Sequence, residues 1–136
     1  MRDLIQILNA MGIYNDKNHN KTNNIYTFSN GSYIEFFGAD EVGKLRGLGR
    51  DILYINEANL LPKEAYNQLS WRTKETIFID FNPADEHSWV YDVADAANNK
   101  LIHSTYLNNK GNLTSQQIAD IESLKDADEN LWKAVS

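Results

Sequence analysis

The chain of 136 residues contains no cysteine, and its three histidines are scattered at positions 19, 87 and 103. Without cysteine there is no disulfide framework and no thiolate zinc site, which is consistent with an intracellular protein. Histidines this far apart in the sequence argue against a histidine-based metal centre. No run of about 18 apolar residues occurs either, so the sequence predicts no transmembrane helix.

The chain also lacks an excess of positive charge. Its formal net charge is -6 at pH 7, which argues against a general basic nucleic-acid binder. The densest basic group lies in a glycine-rich stretch and consists of Lys44, Arg46 and Arg50. Because arginine makes bidentate contacts with phosphate oxygens, this stretch is a candidate for contacting the phosphates of a nucleotide or of DNA. The alternative is a solvated surface loop.

Three catalytic signatures are missing from the sequence. There is no G-x-x-x-x-G-K-[ST] loop, which would cradle the β- and γ-phosphates of a nucleotide. There is no G-x-S-x-G elbow for a nucleophilic serine, and no H-E-x-x-H helix for a catalytic zinc ion. The chain by itself therefore matches none of these three enzyme classes.

The first third of the chain predicts a helix followed by a β-hairpin. Residues 3–12 have apolar side chains at helical spacing, and a glycine ends that pattern. The polar stretch 15–24 is typical of a loop. Asn30-Gly31 between two β-type runs is a strong signal for a hairpin, with strands at residues 25–28 and 33–37.

From residue 51 onward, strands and helices are predicted to alternate. Thr114 and Gln117 form a capping-box pattern ahead of the last helix. The alternation with short connections favours an α/β fold with a parallel sheet, in a single domain. The predicted order is strand 52–55, helix 61–71, strand 76–81, helix from residue 88, strand 101–107 and helix 115–126.

Polar side chains follow two neighbouring strands of this predicted sheet. Asn56 and Glu57 come directly after strand 52–55, and Asn82 follows strand 76–81. Open α/β sheets bind their ligands at the edge formed by the carboxyl ends of the strands. A carboxylate beside an amide at that edge is a candidate for positioning a metal-bound water. The alternative is that these residues only end the strands and begin turns.

The ordered series of these segments resembles the ATPase domain of phage terminase large subunits. The resemblance covers about residues 25–126 of the chain, and no single segment would be specific without the others. The segments are SYIEFFG at 32–38, KLRG at 44–47, ILYINEA at 52–58, IDFNP at 79–83, HSWVY at 87–91 and HSTYLNN at 103–109.

The resemblance implies a DNA-packaging motor, in which ATP hydrolysis drives the phage genome into a procapsid. It implies that Glu57 is the catalytic glutamate after a Walker B strand and that Asn56, where the family often has Asp, helps to hold Mg²⁺. Asn82 would lie in the motif that couples hydrolysis to movement. Arg46 and Arg50 belong to a basic loop that would contact the nucleotide. ATP and Mg²⁺ are therefore implied in the intact protein, with neither expected to bind tightly to this chain.

The resemblance also implies partners and a partial fold. In the intact motor the partners would be double-stranded DNA, the portal and the small terminase subunit, in the cytoplasm of a bacterial host. A Walker A loop would precede residue 1 and a nuclease domain would follow residue 136. We therefore expect a partial P-loop-NTPase-like three-layer α/β fold, with a mainly parallel sheet and an N-terminal β-hairpin.

We expect two properties of such a fragment, and two alternative interpretations of the chain stay open. We expect it to be inactive in ATP hydrolysis on its own, because it lacks the phosphate loop. We also expect it to self-associate through an unpaired strand edge. The alternatives are a non-catalytic module that binds DNA or a capsid protein, and a degenerate prophage remnant.

Overall fold

A computed structural model describes residues 1–41, 43, 49–82 and 88–127 of the chain. The chain divides into two compact units, Met1–Gly47 and Leu48–Ser136. The first unit contains a helix and a three-stranded antiparallel sheet, and the second contains two parallel strands and three helices. The predicted α/β class is confirmed, whereas the single domain stays a prediction.

The first unit begins with helix α1 (Arg2–Ala10) and continues into a small antiparallel sheet. Helix α1 ends before Gly12, whose φ of 70° is the left-handed conformation that commonly terminates a helix. The sheet has the order β1-β2-β3, and the predicted hairpin between β2 and β3 is confirmed. The three strands are β1 (His19–Asn20), β2 (Ile25–Thr27) and β3 (Tyr33–Glu35).

The polar stretch 15–24 is not entirely a loop, so that prediction is wrong for strand β1. The side chain of Asn20 accepts hydrogen bonds from the backbone N–H groups of Thr22 and Asn23, at 3.1 Å each. These bonds turn the chain back on itself, so that His19 lies opposite Tyr26 in the sheet. An asparagine side chain that bonds to the following backbone is a common way to form such a turn.

Tyr26 of β2 is the main core residue of the first unit, with only 1% of its surface exposed. Its hydroxyl donates to the carbonyl of Ile13 at 3.1 Å and accepts from the N–H of Asn15 at 3.0 Å. Its ring stacks on Tyr14 and meets Phe28 edge-on, with centroid distances of 5.8 and 5.2 Å. The residue therefore connects the sheet to the segment that follows α1.

The second unit is built on two parallel strands, β4 (Arg50–Ile55) and β5 (Thr73–Ile79). Helix α2 (Lys63–Ser70) connects them and directly follows Pro62, as the sequence predicted. Leu53 and Ile55 of β4 are buried, together with Leu69 of α2. A parallel pair requires such a crossover, so this β-α-β segment confirms the predicted order.

Two further helices follow in the second unit, α3 (Trp89–Ala94) and α4 (Ser115–Ala127). Val90 of α3 is fully buried, and the indole N–H of Trp89 donates to the carbonyl of Leu61 at 2.8 Å. The capping box before α4 is confirmed, because Thr114 and Gln117 exchange side chain to backbone hydrogen bonds of 2.8 and 3.2 Å. Among the described residues, no helix has both the length and the apolar character needed to cross a membrane.

The predicted strand at residues 101–107 is wrong. Leu101 and Ile102 are 57% and 77% exposed, and within the described part of the chain they pair with no strand. Residues Tyr106–Asn112 form a 3-10 helix instead. An extended apolar run becomes a strand only where a neighbouring strand satisfies its backbone hydrogen bonds, and composition does not provide that neighbour.

One face of the β4–β5 pair is covered and the other is open to solvent. The open face has three large apolar side chains: Ile52, Tyr54 and Phe78 are 59%, 63% and 56% exposed. In most parallel sheets both faces are buried by helices. Here the described residues cover only the face that contains Leu53 and Ile55.

Candidate functional site

The carboxyl ends of β4 and β5 meet at one edge of the parallel pair. Ile55 lies opposite Ile79 in the register, so the residues that follow the two strands emerge side by side. Asn56 and Glu57 follow β4, and Asp80 follows β5. The structure thus places two carboxylates and an amide at the edge where α/β sheets bind ligands.

Glu57 has a left-handed backbone conformation, with φ 53° and ψ 52°. A side chain with a Cβ atom is uncommon in this region, since such a conformation costs about 1–3 kcal/mol and persists only where surrounding contacts enforce it. It turns the chain sharply from β4 into a short 3-10 helix at Ala58–Leu60. The strained backbone therefore belongs to Glu57, the residue that the sequence predicts to be catalytic.

Asp80 makes the contacts that hold this turn. Its carboxylate Oδ1 accepts a hydrogen bond from the N–H of Glu57 at 2.8 Å, and its carbonyl accepts one from Ala58 at 2.8 Å. Its own N–H donates to the carbonyl of Ile55 at 3.0 Å. We call this set of hydrogen bonds, together with the one from Tyr54 described next, the Asp80 bridge. It joins the end of β5 to Tyr54 and Ile55 of β4 and to Glu57 and Ala58 of the turn.

The second oxygen of Asp80 is also occupied. The hydroxyl of Tyr54, on the open face of β4, donates a hydrogen bond to Asp80 Oδ2. This hydrogen bond raises the pKa of Tyr54 above its ordinary value, with smaller contributions from desolvation and from the negative charge of Asp80. Both carboxylate oxygens therefore already accept a hydrogen bond from β4 or its turn, which fixes the orientation of Asp80.

The side chains of Asn56 and Glu57 are exposed, in contrast to half-buried Asp80. An exposed carboxylate beside an exposed amide can accept hydrogen bonds from a water molecule and orient it, or contact a hydrated cation. Among the described residues, however, no group of three or more acidic or histidine side chains could hold a metal ion.

Asn82 lies two residues beyond Asp80, at the same end of β5, and its side chain is exposed. Its amide makes no hydrogen bond with the described residues. The structure therefore brings Asn82 to the same end of the strand pair as Glu57, as the sequence predicted, without a direct contact between them. A role for its amide stays a prediction.

Of the two candidate arginines, Arg50 is not brought together with Glu57. Arg46 lies outside the described residues. Arg50 begins β4, so about six residues of strand, or roughly 20 Å, separate it from the end that Glu57 follows. The guanidinium of Arg50 donates to the carbonyl of Leu69 at 2.9 Å, a contact that joins β4 to α2. Phosphate binding by either arginine stays a prediction.

Sequence reasoning missed Asp80 and Tyr54 as members of this site. The strand was predicted to extend to residue 81, which made Asp80 a strand residue and left Asn82 as the polar end. The observed strand ends at Ile79. A signal was available, because Asp80 is a charge within the otherwise apolar run Ile77–Phe81. The partners of that charge, 23 and 26 residues away, follow only from the parallel pairing.

Comparison with known protein families gives one match. The family described as phage terminase large subunit matches residues 2–136, which is nearly the whole chain. This match confirms the resemblance that the ordered segments predicted. No curated protein and no solved structure matches the chain.

Proposed function

Because the chain belongs to the phage terminase large subunit family, we propose that it is a segment of the ATP-hydrolysing motor that packages phage DNA into procapsids. The observation that supports this proposal is the position of Glu57 at the carboxyl end of a parallel strand pair. The carboxylate of Glu57 is exposed, and its backbone is held in a strained turn by Asp80, which follows the neighbouring strand.

Glu57 would act on the attacking water. Phosphoryl transfer needs little covalent help from the protein, so catalysis depends on placing the nucleophile in line with the leaving group. A carboxylate that accepts a hydrogen bond from the water restricts its orientation and can receive its proton. The left-handed turn limits the positions that the Glu57 side chain can reach, which favours such a role.

Asn56 and Glu57 fit a magnesium ion that arrives with a nucleotide. Mg²⁺ commonly keeps several waters and is held through one or two carboxylates together with the substrate phosphates. Asn56 can accept a hydrogen bond from a metal-bound water, although it adds no negative charge. When bound, the ion would neutralise charge on the phosphate oxygens. The sequence contains no G-x-x-x-x-G-K-[ST] loop, which is the usual cradle for the β- and γ-phosphates.

The chain alone would then hold and orient a water without being able to cradle a triphosphate. We propose that it shows no ATPase activity on its own, and that Asn82 couples the nucleotide state to movement in a motor that also has a Walker A loop. Double-stranded DNA, the portal and the small terminase subunit would be the partners of that motor. The non-catalytic alternative depends on the basic loop from Lys44 to Arg50, of which Lys44 and Arg46 lie outside the described residues.

The test is a glutamine substitution in a terminase large subunit that contains this chain together with a Walker A loop. Glu57→Gln keeps the size of the side chain and removes its charge, so we expect kcat for ATP hydrolysis to fall by about 100-fold or more. DNA packaging should fall with it, whereas the KM for ATP should change little. Glu64→Gln, on the exposed first turn of α2, is the matched control and should keep full activity. Unchanged turnover by Glu57→Gln would rule out the role of Glu57.

A further inference from the structure

Asp80 is half-buried, and it is the residue through which β5 contacts the turn at Glu57. Two backbone hydrogen bonds, of 2.8 and 3.0 Å, connect it to Ala58 and Ile55, and its side-chain carboxylate accepts a third, of 2.8 Å, from the N–H of Glu57. Within the described part of the chain, the N–H of Glu57 donates to Asp80 Oδ1 and to no other acceptor. The conformation of the proposed water-binding residue therefore depends on a residue of the neighbouring strand.

We propose that Asp80 is a positioning residue, which sets the direction of the Glu57 carboxylate by holding the left-handed backbone at that position. The inference rests on the proposed function of Glu57. A non-glycine residue stays in this conformation only where the surrounding contacts enforce it. A hydrogen bond to an ionised carboxylate is roughly twice as strong as one between neutral groups, so Oδ1 of Asp80 is well suited to enforce it.

The contacts of Asp80 distinguish this role from that of a metal ligand or a general base. Oδ1 accepts from the backbone of Glu57 and Oδ2 accepts from the hydroxyl of Tyr54. Both oxygens are thus directed at the protein, whereas the side chain of Glu57 is exposed. Asp80 acts on the reaction through Glu57 and not by touching the substrate.

Tyr54 supports the same arrangement from the open face of β4. Its hydroxyl holds Oδ2, which leaves Oδ1 aligned with the N–H of Glu57. The same hydrogen bond is the main cause of the raised pKa of Tyr54, so the phenol keeps the proton that it donates to the carboxylate. Tyr54→Phe removes this one hydrogen bond and leaves the bond to Glu57, so it provides a graded perturbation of the Asp80 bridge.

The first experiment measures the bridge in the chain of 136 residues by nuclear magnetic resonance. The amide proton of Glu57 should resonate at low field in the wild type, because its acceptor is a carboxylate. Asp80→Asn should shift the Glu57 resonance upfield. Asp51→Asn is the matched control, since Asp51 pairs with Lys74 on the same two strands at 3.5 Å. A Glu57 amide that is unchanged in Asp80→Asn overturns the inference.

The second experiment measures turnover in a terminase large subunit that contains this chain and a Walker A loop. Asp80→Ala should lower kcat for ATP hydrolysis by roughly 10- to 100-fold, the range expected for a displaced reacting group, with the KM for ATP changed less than about twofold. Asp80→Asn keeps a neutral acceptor and should retain an intermediate kcat, and Tyr54→Phe should lose the least. A residue with only a structural role would reduce the amount of folded enzyme and leave kcat per folded molecule unchanged.

The combination with Glu57→Gln separates the two proposals. If Asp80 acts through Glu57, the double variant Glu57→Gln, Asp80→Ala should have the same kcat as Glu57→Gln alone, since residues that act as a unit are non-additive. Full activity of Glu57→Gln overturns the proposed function. A low kcat of Glu57→Gln together with an unchanged kcat of Asp80→Ala, or additive losses in the double variant, overturns only the positioning role.

Discussion

Asn24 and Glu57 adopt nearly the same unusual backbone conformation, with φ angles of 54° and 53°, and they do so for different reasons. Asn24 ends the polar turn before β2, and its carbonyl accepts a hydrogen bond from the N–H of Phe36 at 3.0 Å. Asparagine tolerates the left-handed region well, whereas glutamate does not. Glu57 reaches it through the Asp80 bridge.

The comparison shows that one turn follows from local chemistry and the other from tertiary contacts. In the first unit the side chain that shapes the turn, Asn20, lies two and three residues from its partners Thr22 and Asn23. In the second unit the side chain that holds the turn is that of Asp80, which follows β5 and lies 23 residues beyond Glu57 in the sequence. Strain that tertiary contacts maintain at an exposed carboxylate is typical of functional sites.

The largest difference in stability is expected between substitutions of two tyrosines, Tyr26 near the first turn and Tyr54 near the second. Tyr26 is 1% exposed and Tyr54 is 63% exposed. Tyr26→Ala should lower the free energy of unfolding by about 3–5 kcal/mol, because it leaves a cavity in the core of the first unit. Tyr54→Ala should cost about 1 kcal/mol, the net value of one hydrogen bond. Urea unfolding measures both, and equal losses would contradict the contrast between the two turns.

A smaller and opposite effect is expected from glycine at the two left-handed positions. Glu57→Gly relieves about 1–2 kcal/mol of left-handed strain. Glycine also increases the conformational entropy of the unfolded chain, which lowers the free energy of unfolding by about 0.4–1 kcal/mol. The two effects together should raise the free energy of unfolding by roughly 0.5–1 kcal/mol. Asn24→Gly should change stability by less than about 0.5 kcal/mol, since asparagine already tolerates the conformation. Thermal unfolding of both variants decides the comparison, and a loss of stability in Glu57→Gly would show that its backbone is unstrained.

The smallest expected effect is a dependence of the free energy of unfolding on pH, which arises from Tyr54 beside the second turn. Because the pKa of Tyr54 is raised on folding, the folded state holds this proton more tightly than the unfolded state does. The associated stability is fully present below the ordinary tyrosine pKa of about 10 and is lost as the pH rises through the raised value.

Tyr54→Phe should therefore reduce the alkaline fall in the free energy of unfolding. The pKa values of Tyr14, Lys21 and Tyr106 are also raised and should contribute to that fall. Unfolding measured between pH 8 and pH 11 in the wild type and in Tyr54→Phe isolates the share of Tyr54. Parallel curves for the two proteins would contradict the bond from Tyr54 to Asp80.

Elements that depend on nearby residues could be predicted from the sequence. The helix before Gly12, the hairpin at Asn30-Gly31, the helix after Pro62 and the capping box at Thr114 all follow from chemistry within a few residues. The edge position of Glu57 could also be predicted, because an apolar run that ends in polar residues indicates the end of a buried strand.

Elements that depend on distant partners could not be predicted from the sequence. The run at 101–107 has the composition of a strand and forms none, because no neighbouring strand is placed beside it in the described chain. Asp80 looked like an interior strand residue until the register of β4 against β5 placed its carboxylate on the N–H of Glu57.

The amino-acid sequence by itself determined the family, the strand-helix-strand order of residues 50–79, and Glu57 as the carboxylate at the sheet edge. Only the tertiary structure decided how that carboxylate is held. A hydrogen bond between residues 57 and 80 requires that two strands first pair in one register, and the register depends on the packing of the whole β-α-β unit.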